Sequence, residues 1–180
     1  MGIFDAKFKE ILSFQIVSIL LGIFAGTMLA IFTNKLLVIP GIFILLPGFL
    51  EMRGNISGSF SSRLSSGLFL GVIKPDRMKT KMIKGNLSAS FLLAVAVSFV
   101  LGVIAFVFTY LVFGVFVPTI IIFPLIAGLI ANAIEIPLTL FMTFYLFRKG
   151  HDPNDIMGPF ITSTGDIISI VSLLLALVVI

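Results

Sequence analysis

Cysteine is absent from the 180 residues and histidine occurs once. Without thiols there is no disulfide, no thiolate nucleophile and no cysteine metal site, and a single imidazole makes a His-rich metal centre or a Ser-His-Asp arrangement a poor fit. Charge is equally scarce: charged residues make up 11% of the chain against 59% hydrophobic, and the mean hydropathy is +1.24. Soluble domains carry about 25% charged residues, so this is the composition of an integral membrane protein. Its apolar residues come in runs of about 20, long enough for helices through a hydrocarbon core of about 30 Å and unlike the alternating segments of a membrane β-barrel. The expected fold is therefore all-α and multi-pass in a bilayer, such as a prokaryotic plasma membrane. The net charge of +4 does not point to nucleic acid, because the bases crowd the edges of the apolar runs.

Five spans are expected, over about 12–32, 37–66, 87–113, 119–147 and 158–180, in a single transmembrane domain covering 1–180. Residues 1–11 read as a short cytoplasmic, interfacial lead-in. Gly22 and Gly26 form a Gly-x-x-x-Gly pair in the first span, a spacing that permits close helix contact. The second span contains Pro40, Gly41, Pro47, Gly48, Gly54 and Gly58, which predicts a kinked or interrupted helix. The third is almost purely apolar and reads as a packing helix. Nine Lys and Arg fall in the N-terminus and the 67–86 and 148–157 loops, against Lys35 on the other side. The positive-inside rule then places the N-terminus in the cytoplasm and Ile180 outside.

Where polar residues do occur they are concentrated. Residues 50–66 hold Glu51, Arg53 and Arg63, the amide of Asn55 and six serines inside an otherwise apolar run. Glu51, Asn55, Ser59, Ser62 and Ser66 recur at spacings of four, four, three and four, which lines them along one face of a helix. A carboxylate or guanidinium at mid-membrane costs roughly 2.5–3.5 kcal/mol if it faces lipid unpaired. Glu51, Arg53, Glu135 and Asp166 must then face protein or a hydrated path. Arg53 lies two residues from Glu51 and so points to the opposite side of the helix; it needs another acid, and Glu135 at similar depth is the candidate for an intramembrane ion pair. The competing role for Glu135, with Asn132 one turn away, is as a cation ligand.

Asp166, with Thr162 and Ser169 on its face, suits a hard oxygen-seeking cation such as Mg²⁺, which keeps most of its water and is held through one or two carboxylates. The alternative is a structural acid bonded within the protein. An intramembrane enzyme using the serines of 57–66 lacks a His or Lys placed to activate them, which disfavours catalysis; a non-conducting scaffold is the other alternative. No organic cofactor is expected.

The segment His151-Asp-Pro-Asn-Asp-Ile-Met-Gly-Pro-Phe-Ile-Thr-Ser-Thr-Gly-Asp166 closely resembles the Asp-Pro … Gly-Pro … Thr-Thr/Ser-x-x-Asp motif of the MgtE magnesium channels. The stretch from Pro47 to Leu64 is similar to the related solute-carrier family 41, with its Pro … Gly-Asn … Ser-Arg-Leu segment. The resemblance implies a homodimer with a path at the two-fold axis, lined by the second and fifth helices, and Asp166 of both chains near a largely hydrated cation. Gly54 and Asn55 match the Gly-Asn element, whereas residue 53 is Arg where the MgtE motif has Gly. A cytoplasmic Mg²⁺ sensor is expected to be absent or to belong to another subunit. The expected function is divalent cation transport, chiefly of Mg²⁺ with Mn²⁺, Co²⁺ and Ca²⁺ as other ions of similar chemistry; a Na⁺-coupled Mg²⁺ exchanger is the rival. Asp166 is the candidate metal ligand, and Glu51, Gly54, Asn55, Ser59, Ser62, Asn132, Glu135, Thr162 and Ser169 are candidates for the pore lining.

Overall fold

The computed structural model describes residues 6–180, in which five helices account for all the regular structure: α1 (Ala6–Leu36), α2 (Ile42–Phe69), α3 (Lys81–Phe113), α4 (Thr119–Arg148) and α5 (Pro153–Val179). Of the lead-in expected over 1–11, residues 1–5 lie outside the described residues, and the remainder is continuous with α1. α1, α3, α4 and α5 are each long and apolar enough to cross a membrane. α2, with its two arginines, glutamate and serines, is the least apolar of the five.

Local chemistry explains where the boundaries depart from the expected spans. Thr80 caps α3, its hydroxyl accepting from the Ile83 amide at 3.3 Å, so this helix starts at Lys81 rather than 87. α5 starts at Pro153 rather than 158 because Asp152 accepts from the Asn154 amide at 2.9 Å and Pro153 supplies a ready-made first helical residue. Pro159 is then contained within α5. In the second span the break lies ahead of the helix, not within it. The chain turns over 37–41 through Gly41, whose φ of 80° suits glycine, and α2 then runs unbroken past Pro47. Pro47 falls in the second turn, where it removes one backbone bond close to the helix end.

α2 is central, packing on α3, α4 and α5, while α1 lies outside the bundle against α5. In lipid no hydrophobic force draws helices together, so close van der Waals fit must do so. α3 meets this requirement with a stripe of small residues, Ser90, Ala94, Ser98, Gly102, Ala105 and Thr109, all buried. At Gly102 the two backbones touch: a Cβ there would sit 2.9 Å from Ile121 Cα and nearer still to its carbonyl oxygen. Leu45, Phe49, Phe123 and Leu173 fill the space between the remaining helices. The outward faces expose large apolar residues, among them Ile16, Leu20, Ile31, Leu92 and Leu111, as a lipid-facing surface requires.

Gly102→Ala is expected to destabilise the bundle by about 1–3 kcal/mol, because backbone rather than side chain must give way. Gly128→Ala meets the rotatable Ser98 hydroxyl instead and is expected to cost less. Thermal midpoints in detergent measure both, and equal losses would contradict this packing.

Candidate cation site

The site is built where α2, α4 and α5 approach one another at mid-length. Arg53 lies eleven residues past the start of α2, Glu135 sixteen past that of α4 and Asp166 thirteen past that of α5. For Asp166 this is about 20 Å along the helix. A start at 158 would have placed it at about half that depth.

Arg53 turns inward from α2 and is 1% exposed. Its Nη1 contacts the Glu135 carboxylate, its Nε donates to Ser169 Oγ, and its Nη2 lies 3.4 Å from Asp166 Oδ1. One guanidinium thereby ties three helices together. Space for it exists only because residue 165 is glycine: a Cβ there would overlap the guanidinium nitrogens and Cζ. With all three groups ionised, one positive and two negative charges leave one net negative charge. Glu135 is as buried as Arg53, whereas the Asp166 side chain is 29% exposed. Asn132 Oδ1 is buried without a hydrogen-bond partner among the described residues, and Glu135 is in ionic contact with Arg53.

Asp166 opens into a cavity of about 330 Å³ between α2 and α5. Glu51, Gly54, Asn55 and Thr162 line it too, and Asn55 donates to Glu51 at 3.1 Å. Thr162 in turn donates to the Gly158 carbonyl at 3.0 Å. No methyl crowds the walls at Gly54, Gly58 or Gly158, and a Cβ on any of them would meet nothing within 4 Å. The stripe Glu51, Asn55, Ser59, Ser62 and Ser66 is exposed along its whole length, while Ser57, Ser61 and Ser65 are buried on the opposite face of α2. Ser59 and Ser62 continue the exposed face beyond the cavity.

Asn132, Glu135 and Ser169, expected on the path, are instead buried within the protomer and outside the cavity lining. Ser169 is drawn in by Arg53, and Asn132 donates to the Gly128 carbonyl at 2.7 Å. Gly165, Gly58 and Gly158 are the contributors missed from the sequence. The four-residue spacing of Gly54 and Gly58 was a readable signal for a smooth helix face; the role of Gly165 depends on a neighbour from another helix and leaves no local sign.

Such a bundle, apolar outside and holding paired charges beside a polar cavity, is that of a helical membrane protein with ionisable groups in its interior. The chain belongs to the MgtE divalent cation transporter family, whose model matches residues 46–176. The match takes in nearly all of α2 to α5 and leaves α1 outside it. No solved structure matches the chain. Membership makes this a multi-pass integral membrane protein of a transporter family, not an enzyme family, with divalent cation transport as its activity.

Arg53→Met is expected to destabilise the protein by about 3–5 kcal/mol, because Glu135 is left buried and unpaired. Arg53→Met combined with Glu135→Met should recover most of that loss. Gly165→Ala should lower stability in the same direction by displacing the guanidinium. Unfolding midpoints of these variants in detergent test the set, and a double variant as unstable as Arg53→Met would contradict it.

Proposed function

We propose that two copies of this chain pass Mg²⁺ across the membrane along a path at their two-fold axis, with Asp166 of each copy as the ligand. The whole chain acts as one transmembrane unit, α2 included as a fifth span. The N-terminus and the 67–86 and 148–157 loops lie in the cytoplasm, where their nine bases satisfy the positive-inside rule.

The observation that carries this reading is the α2–α5 cavity. It brings the carboxylates of Asp166 and Glu51, the amide of Asn55 and the hydroxyl of Thr162 to one open, smooth-walled face. Oxygen donors around a space larger than a bare ion suit Mg²⁺, which retains several waters. Pairing this face with a second copy would remove the polar stripe of α2 from lipid and set two Asp166 carboxylates across from one divalent cation. The second reading, a Na⁺-coupled exchanger, is favoured by Arg53: a fixed positive charge beside the ligand is unusual in a simple cation pore and fits a carrier that alternates between loaded and empty states.

In proteoliposomes Asp166→Asn is expected to reduce Mg²⁺ flux by at least about tenfold, since the principal ligand charge is lost. Flux that responds to an imposed Na⁺ gradient would favour the exchanger, and flux indifferent to it the pore. The chain has no native cysteine, so Ser59→Cys supplies a clean dimer test. Oxidation should give a disulfide-linked dimer on a gel, and exclusive monomer would count against a two-fold axis on this face.

A further inference from the structure

We propose that Arg53 sets the affinity of the cation site: its guanidinium is the resident counter-cation of Asp166, and a divalent cation must share that carboxylate with it. The inference rests on Asp166 being the cation ligand and adds a residue that touches the ligand from behind.

The geometry is asymmetric. Arg53 is in direct contact with Glu135 and donates to Ser169, and these hold the guanidinium in place. Its remaining reach, through Nη2, ends 3.4 Å from Asp166 Oδ1, longer than the roughly 2.7–2.9 Å of a close charge-assisted bond. Asp166 is thus held loosely on its protein side while its carboxylate is partly open to the cavity. Arginine cannot relax this hold by losing its proton. What remains is competition. Arg53 and Glu135 cancel, so the charge each protomer presents to the cavity is that of Asp166, beside the guanidinium, and of Glu51 on α2. Without the guanidinium beside Asp166, the two cavity acids would hold a divalent cation more tightly than passage allows, because transport needs a site weak enough to leave. Gly165 keeps the guanidinium in position, since any side chain there would displace it.

The test is calorimetric titration of Mg²⁺ into the purified protein in detergent, with half-saturating Mg²⁺ for flux measured in proteoliposomes. Arg53→Gln/Glu135→Gln keeps the net charge of the cluster and removes the positive group beside Asp166. It is expected to bind Mg²⁺ at least about tenfold more tightly, with a lower maximal flux. Glu135→Gln alone turns the guanidinium wholly onto Asp166 and is expected to weaken binding about tenfold. A purely structural role for Arg53 would not move the two variants in opposite directions. Unchanged or weaker binding by the folded double variant overturns the proposal. If the double variant does not fold, Glu135→Gln decides, and unchanged or tighter binding overturns it. Asp166→Asn separates the two layers: loss of Mg²⁺ binding there together with no tightening in the double variant sinks only the role of Arg53, while undiminished binding sinks the ligand assignment on which it stands.

Discussion

A guanidinium that can neither shed its proton nor reach water has to be matched by acids, and in this protein the requirement organises the bundle. Arg53 leaves α2 toward the interior and takes Glu135 from α4 and Ser169 and Asp166 from α5 as partners. The desolvation of such a pair is costly, and its value lies less in net stability than in the arrangement it enforces. Once Arg53 is buried, α5 must bring a glycine to its flank and a carboxylate to its rim, which places Asp166 at the boundary between packed protein and cavity.

The two faces of α2 divide the remaining work. Toward α3 and α4 it offers apolar side chains and buried serines, one of which, Ser61, lies 3.1 Å from the Thr143 hydroxyl. On its exposed face it offers the stripe from Glu51 to Ser66. Arg63 leaves this stripe sideways, donating to Asn86 at 3.1 Å and Ser90 at 2.8 Å on α3, so its charge is held by protein. α3 contributes closeness rather than chemistry, its small residues letting the backbones of α3 and α4 meet at Gly102. α1, packed mainly on α5 and outside the family match, covers one flank. Its polar contacts lie toward the α5 start: Ser18 donates to the Pro159 carbonyl at 3.0 Å, Lys7 pairs with Asp155 at 2.9 Å and Glu10 lies 2.5 Å from His151 Nδ1.

Much of this was legible because a membrane penalises polar groups so heavily that their spacing carries information. Four long apolar runs and one polar-punctuated run, separated by basic or turn-rich links, specify five helices, and a four-four-three-four rhythm specifies a face whatever the helix packs against. The two-residue offset between Glu51 and Arg53 likewise turns their side chains apart on any helix. Helix starts were harder to read. Thr80 and Asp152 each extend a helix by about one and a half turns beyond its apolar run, because capping is a hydrogen-bond property and hydropathy does not register it.

The sequence by itself determined the class of the molecule, the number of its helices and the polar side of α2, since each follows from periodicity and the cost of charge in lipid. Only the tertiary structure decided that Asn132, Glu135 and Ser169 are buried while Glu51, Asn55, Thr162 and Asp166 meet at one cavity. It alone gave Gly165 its purpose. The physical reason is that a helix's own pattern says which residues share a face, whereas which face meets which neighbour depends on side chains far away in the chain.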